Sequence, residues 1–408
     1  MLLIRGGQLL TLRGPPAPRC GPYLRELNVI QDGALLIRDG VLHQIGTSRR
    51  VENLAEARHA VEINASGKVV MPAFVDCHTH LAYPPPGVSD GDRAAAAHAL
   101  VVAGGSRMAL RWRLHLDSMV RHGTTTVGIK TGAGPDAAAE YKLLRMLSKL
   151  QSGPLDIVTS LLFRLTSDEG CGDSVNAEFT GWACRELLPK IRQRKLARFA
   201  EIEWDPIAAR RPLLRRFLSI ASELGFPRKM HAARSHAATA IAMAREHKAM
   251  SISHLEHATS SEAAAMAGSG IIATLLPCAS FHTGAGNAPA RALVDAGTPI
   301  ALGSDFHPAH SPILNMQAVI ALACLRLGLT PAEAVSAATI NGAHALGCAS
   351  RTGSLEVGKS GDVVVLNISD YRDLARHFGS NLVYATIKRG AVIYREAAVG
   401  AGPARRSA

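Results

Sequence analysis

Two histidines separated by one residue end a short apolar segment of the 408-residue chain. His78 and His80 close the run that begins at Val69, and the uncharged, β-branched start of this run predicts a buried strand. Alternate residues of a strand point to the same side, so both imidazoles face one point. Imidazole nitrogens suit zinc, iron, cobalt or nickel better than magnesium or calcium. Alone, the pair is a weak signal, because His78 and His80 could also simply form hydrogen bonds inside a strand end.

Two more metal-binding side chains end other predicted strands. His231 and Asp305 each follow a short apolar run, and in a parallel barrel such strand ends meet at one end of the axis. Three imidazoles and a carboxylate there predict a zinc or iron site with room for a water. Asp305 is predicted to bind the metal and to take the proton of that water. His254, which ends the next strand, is predicted to donate to a substrate carbonyl or to hold the hydroxide.

The middle of the chain alternates candidate strands with Ala- and Leu-rich helical stretches. After the opening run, candidate strands lie at 124–129, 156–162, 199–202, 229–231, 250–253, 270–275 and 299–303. This alternation is typical of a parallel sheet or barrel. Eight strands predict an α/β fold with a (β/α)8 TIM-like barrel.

Short strands and turns also occupy both ends of the chain. Turn residues at Asp39-Gly40 and Arg389-Gly390 separate apolar runs in each half. Neither half could bury its apolar face alone, so the two are predicted to form one small β-sandwich domain. The predicted domains are 1–70 with 355–396 for the sandwich and 71–354 for the barrel, followed by a disordered tail at 397–408.

Composition and charge limit the possible binding partners of the protein and the cellular compartment in which it works. Lys and Arg outnumber Asp and Glu by 45 to 33, but the densest basic runs, 190–195 and 210–216, carry no interleaved aromatic residues. They predict a solvated face rather than nucleic-acid binding. Seven scattered cysteines without a C-x-x-C pair indicate a reducing compartment. The start shows no secretory signal and no run suits a membrane span, so we expect a cytoplasmic protein with a small-molecule substrate and no membrane partner.

Several motifs in a fixed order resemble a known superfamily. They lie at 72–80, 123–127, 252–256, 273–277, 301–308, 338–341, 353–359 and 377–382. From about residue 33 to 394 the chain resembles the metal-dependent amidohydrolase superfamily and, within it, the imidazolonepropionase family. The resemblance implies that His78, His80, His231 and Asp305 bind one zinc or iron ion per chain. It also implies that His254 is an active-site histidine, that the product is an opened ring and that the protein is a homodimer.

The chain departs from that family around the substrate. The family carries an acidic or amide pair after the histidine of strand five, whereas here Ala232, Ala233 and Arg234 follow. The strand-three region has Arg164 and lacks the family's substrate histidine. A cation in place of a carboxylate favours a more anionic substrate. Lys130, Arg164 and Arg234 are the candidate substrate-binding residues, with an ordinary salt bridge as the alternative for each arginine.

The predicted reaction is hydrolysis of a C–N bond in a cyclic amide or amidine, of the imidazolonepropionase kind. One alternative is a deaminase of the same superfamily, for which Glu256 is the only candidate for the required carboxylate. Another is a non-catalytic, metabolite-binding homologue. The complete set of four metal-binding side chains argues against the second alternative.

Overall fold

The computed structural model describes residues 1–82, 104–132, 137–150, 153–165, 172–204, 207, 210–232, 237–308 and 311–397. Its strands are β1 (Leu2–Leu10), β2 (Val29–Arg38), β3 (Val41–Thr47), β4 (Val61–Asn64), β5 (Val69–Pro72), β6 (Phe74–Thr79), β7 (Thr124–Lys130), β8 (Asp156–Phe163), β9 (Phe199–Glu203), β10 (Arg228–His231), β11 (Ser251–Ser253), β12 (Ile272–Leu275), β13 (Ile300–Leu302), β14 (Val363–Leu366), β15 (Val383–Lys388) and β16 (Ala391–Arg395).

Helices follow most of the central strands, and the first helix packs instead against β1, β2 and β3. They are α1 (Ser48–Glu52), α2 (Gly105–Arg121), α3 (Ala137–Lys149), α4 (Gly172–Trp182), α5 (Leu188–Arg194), α6 (Arg211–Glu223), α7 (Ala237–Glu246), α8 (Ser260–Ala264), α9 (Pro277–Thr283), α10 (Ala290–Asp295), α11 (Met316–Leu327), α12 (Pro331–Ala338) and α13 (Ile340–Ala345). A π-helical segment, Ala183–Leu187, precedes α5, and short 3-10 segments lie at Gly21–Arg25, Ala55–His59 and Tyr371–Ala375.

Eight parallel strands form the predicted barrel, in the order β6 to β13. Two backbone hydrogen bonds join its first strand to the segment after its last one. The His80 N–H donates to the Phe306 carbonyl at 2.7 Å, and the Asp305 N–H donates to the His78 carbonyl at 3.0 Å. The expected α/β barrel is therefore confirmed, and its closure ties together two segments that carry candidate metal ligands.

Strands from both ends of the chain form the second, mixed sheet, in the order β16-β15-β14-β5-β1-β2-β3. Its tight turns lie where the sequence predicts them. Asp39 and Gly40 have φ of 51° and 81°, and Arg389 and Gly390 have φ of 47° and 74°. Positive φ at both central residues is the conformation that matches the twist of a hairpin, which explains the glycines. The domain boundaries remain a prediction, and 398–408 of the predicted tail lie outside the described residues.

The run 69–80 differs from the single strand that its composition suggests. It forms β5, which pairs with β1 and β14 of the mixed sheet, and then β6, which pairs with β7 of the barrel. The two strands adjoin around Pro72, whose nitrogen has no proton for a ladder hydrogen bond. The break lets one apolar run serve both sheets and places His78 and His80 at the barrel mouth.

Among the described residues, no helix combines the length and the apolar character that crossing a membrane would need.

Candidate metal centre

Four imidazoles meet at the carboxyl ends of the barrel strands. His78, His80, His231 and His254 each place a ring nitrogen within 4.8 Å of the others. The first two come from β6, one ends β10, and His254 follows β11 directly. Backbone register accounts for the meeting, because His231 pairs with Ser253 across the parallel ladder between β10 and β11. The spacing that suggested a shared metal from sequence is thus matched by proximity in space.

Asp305 joins this cluster from the segment after β13. Its Oδ1 atom lies 3.2 Å from His78 Nε2, 3.4 Å from His80 Nε2 and 3.8 Å from His254 Nε2. Asp305 and His254 both have positive φ, 50° and 61°. This region is unfavourable for residues other than glycine and is occupied where the surroundings enforce it. The fold therefore holds the two residues with predicted proton-transfer roles in a strained geometry.

Burial sets the charges in the cluster. It lowers the pKa of His78, His80 and His231 well below the ordinary value for histidine, so these rings are neutral and suited to bind a metal. Burial also raises the pKa of Asp305 to about 6. For His254, burial acts to lower the pKa, but the nearby carboxylates of Glu256 and Asp305 raise it by more.

Glu256 lies behind His254, on the side away from Asp305. Its Oε2 atom is 3.6 Å from His254 Nδ1, and its side chain is only 6% exposed. The Nε2 atom of the same ring faces Asp305. A carboxylate on one ring nitrogen fixes the orientation of the ring and the position of its proton. Glu256 is thus placed to orient His254.

Asp76 lies on β6, two residues before His78, and supports the cluster through hydrogen bonds. The sequence analysis did not single it out. Its carboxylate accepts hydrogen bonds from the Ser304 N–H at 3.0 Å, the Ser304 hydroxyl at 2.5 Å and the His78 N–H at 3.4 Å. It therefore links the strand of His78 to the segment of Asp305. The alternation of β6 carries a signal for this role, because position 76 shares its side of the strand with His78.

Gly303 is a second supporting residue that the sequence analysis missed. A Cβ atom at this position would lie 2.8 Å from the Cβ of His78, closer than two carbons can pack. Glycine therefore lets the end of β13 approach β6. No periodicity or motif spacing indicates such a close approach, so only the tertiary structure could show it.

Two of the three predicted substrate-binding residues form ion pairs with β9. Lys130 pairs with Glu201, and Arg164 pairs with Glu203. The acidic partners are two residues apart on one strand and so lie on the same side of it. Burial lowers the pKa of Lys130 to about 8 despite its partner. The third candidate, Arg234, lies outside the described residues.

The donor set fits a transition-metal ion. Both ring nitrogens of His231, Nε2 of His78 and Oδ1 of Asp305 are buried without a hydrogen-bond partner among the described residues. Buried polar atoms without partners are costly and usually bind something. Imidazole nitrogens with one carboxylate are the ligands that zinc and iron accept in proteins. His78, His80, His231 and Asp305 could hold the ion, and His254 could also reach it.

Comparison with known proteins agrees with this geometry. Residues 69–393 match the Amidohydrolase family. The chain is 35% identical over 409 residues to an imidazolonepropionase of Porphyromonas gingivalis, covering 95% of this chain and 96% of that protein. It is 34% identical over 401 residues to an imidazolonepropionase of Deinococcus radiodurans, covering 94% and 97%. Among solved structures, an adenosine deaminase from Xanthomonas campestris with bound zinc superposes with a TM-score of 0.71 at 20% identity, covering 96% of this chain and 92% of that one.

The chain belongs to the amidohydrolase family, a metal-dependent class of hydrolases, and it has a buried histidine cluster that could bind a metal ion. Within the family it is an imidazolonepropionase-like enzyme, a hydrolase of carbon–nitrogen bonds in cyclic amides.

Proposed function

We propose that this enzyme opens a small ring of the imidazolone type by hydrolysing one ring C–N bond at a single zinc or iron ion. The observation that carries the proposal is the convergence of four imidazoles and Asp305 at the mouth of the barrel. The relatives named imidazolonepropionase support the choice of ring. Imidazolonepropionate itself is the first substrate to test.

The chemistry divides between the ion and the side chains around it. His78, His80, His231 and Asp305 would hold the ion, which when bound supplies Lewis acidity and lowers the pKa of a water molecule. Asp305 accepts the proton of the attacking water and delivers it to the ring nitrogen that leaves. His254, oriented by Glu256, donates from Nε2 to the carbonyl oxygen, where negative charge develops.

Two arginines are the proposed anchors for an anionic group on the substrate. Arg164 is paired with Glu203, so a substrate carboxylate must share or replace that partner. Arg234 is the second proposed anchor, because in the sequence it lies near the position at which the family has an acidic or amide pair. Lys130 is 2% exposed and paired with Glu201, so it would act on the substrate through its charge rather than by contact.

A deaminase is the competing activity, and the position of Glu256 bears on it. The alternative needs a carboxylate that reaches the substrate, whereas Glu256 lies behind the His254 ring and is almost fully buried. This arrangement favours ring hydrolysis over deamination. A non-catalytic protein would have no reason to keep five potential ligands together, and metal content tests that reading directly.

The remaining proposals concern assembly and compartment. We place the enzyme in the cytoplasm, as a homodimer that acts on a small molecule and binds neither nucleic acid nor membrane. The scattered thiols support a reducing compartment: Cys20, Cys77, Cys184, Cys278, Cys324 and Cys348 form no disulfide among the described residues.

The test combines elemental analysis with an assay for ring opening and ammonia release on imidazolonepropionate, hydantoins, cyclic imides and aminopurines. About one zinc or iron per chain with ring opening supports the proposal, and ammonia release from aminopurines alone would replace it with the deaminase. Asp305→Asn should lower kcat by about a thousand-fold or more, since it removes a ligand and the proton acceptor. The matched control is Asp295→Asn at an exposed aspartate on α10, which should keep normal turnover. Near-normal turnover in Asp305→Asn would contradict the mechanism.

A further inference from the structure

A cavity lies at the opposite end of the barrel from the histidine cluster. It has a volume of about 460 Å³, and three of its walls are the amino-terminal starts of β10, β11 and β12. Pro18 from the amino-terminal segment and His344 from α13 complete it. A cavity of this size can hold a small metabolite. Nothing in the proposed reaction uses it, because the catalytic residues lie at the carboxyl ends of the same strands.

The charged side chains that line this cavity among the described residues, Arg228 and Lys248, are both cations. Arg228, Lys248 and His344 are its ionisable lining residues, and no Asp or Glu lines it among the described residues. None of the three forms an ion pair within the described part of the chain. Elsewhere on the surface, exposed arginines form ion pairs, as Arg215 does with Glu246. Cations that converge on a concave surface without acidic partners attract anions.

Hydrogen bonds within the protein fix the orientation of the Arg228 guanidinium. Its Nε donates to the His247 carbonyl at 2.9 Å, and its Nη1 donates to the Ser222 hydroxyl at 2.9 Å and the Phe226 carbonyl at 3.2 Å. These bonds fix the plane of the guanidinium and leave Nη2 without a hydrogen bond among the described residues. A fixed guanidinium with a free donor loses little entropy when it binds phosphate or carboxylate.

The pKa of His344 also indicates positive charge around this cavity. Burial, together with the smaller effects of the charges of Lys359 and Arg19, lowers the pKa of His344 to about 4, so its ring is neutral near pH 7. Positive charge therefore reaches the cavity from side chains behind its wall as well as from its lining. An anion bound there would interact favourably with all of these groups at once.

We propose that the cavity lined by Arg228, Lys248 and His344 is a binding site for a small polyanion, a phosphate ester or a dicarboxylate, separate from the metal centre. The ligand would join the starts of three barrel strands to α13 and the amino-terminal segment, and so would stabilise the fold. Binding of this kind raises the unfolding temperature with a saturable dependence on ligand concentration.

The test is thermal unfolding of the full chain with inorganic phosphate, compared with sodium chloride at equal ionic strength. Lys248→Glu is the key variant, and Lys195→Glu is its matched control. Both lysines are exposed, follow helices and have positive φ, 48° and 54°, but Lys195 does not line the cavity. Reversing one charge about 5 Å from a bound anion in a water-like dielectric should weaken phosphate binding by about ten-fold or more.

Saturable stabilisation of the wild type and of Lys195→Glu, with at least ten-fold weaker binding by Lys248→Glu, supports the site. Equal phosphate affinity in the two variants, or no effect beyond that of chloride in the wild type, would overturn it. Lys248→Gln and Lys195→Gln repeat the comparison if a charge-reversed variant does not fold. Succinate in place of phosphate distinguishes a dicarboxylate from a phosphate ester as the preferred ligand.

Discussion

Glu201→Gln should destabilise the barrel strongly, because it leaves the Lys130 ammonium buried without its carboxylate. The two side chains are 2% and 1% exposed, so solvent gives no screening. Breaking a buried ion pair from one side costs about 3–5 kcal/mol.

The dependence on pH distinguishes this cause from a simple packing defect. In the wild type the pKa of Lys130 is about 8, below its unfolded value, so its contribution to stability rises with pH only above about 8. Loss of Glu201 lowers the folded pKa further and moves the start of that rise to lower pH. The unfolding free energy of the variant should therefore gain on the wild type between pH 6 and 8, because there the unfolded chain binds more protons than the folded one.

Urea unfolding of wild type and variant at several pH values, at equal metal content, measures both effects. A loss below about 1 kcal/mol that stays constant from pH 6 to 10 would refute the reasoning, given the usual cost of a broken buried pair. The control is the double variant Lys130→Met, Glu201→Met, which removes both charges and should recover most of the stability. Its KM also tests Lys130 as a substrate-binding residue, since a substrate that needs this charge should then bind less tightly.

Three further predictions concern the ring behind the metal centre, the contact between the sheets and the substrate anchor. Glu256→Gln should lower kcat by about ten- to a hundred-fold with little change in KM or metal content, because His254 loses its orienting carboxylate. Glu256→Asp should recover part of the loss. An unchanged kcat in steady-state kinetics of Glu256→Gln would exclude this role for Glu256. Asp156→Asn should cost about 1–3 kcal/mol at pH 7, because Asp156 accepts from Lys388 at 2.9 Å across the two sheets. Burial acts to raise the pKa of Asp156, but Lys388, Arg389 and Arg351 together lower it by more. This stability is therefore present above the unfolded pKa and lost as pH falls through the folded pKa, and denaturation curves should show the variant and the wild type converging in acid. Arg234→Glu should raise KM for an anionic substrate while metal content stays constant. An unchanged KM would show that Arg234 does not bind the substrate.

The sequence determined the fold class and most members of the candidate metal centre. Alternation of strands and helices predicted the barrel, and turn residues such as Asp39 and Gly40 predicted the hairpins of the second sheet. The spacing of His78 and His80 on one strand, with His231 and Asp305 at the ends of others, predicted that these side chains meet. Such predictions are possible because side-chain direction in a strand has a period of two and because parallel strand ends share one edge.

Tertiary structure alone decided how charge is distributed around that centre. Lys130 and Arg164 were expected to face a substrate, and the fold gives each a glutamate partner on β9. The close approach at Gly303 and the division of the run at Pro72 likewise depend on which strands become neighbours. Local sequence fixes the direction of a side chain along its own strand, whereas its partners are set by strand order and register across the barrel, which no local pattern encodes.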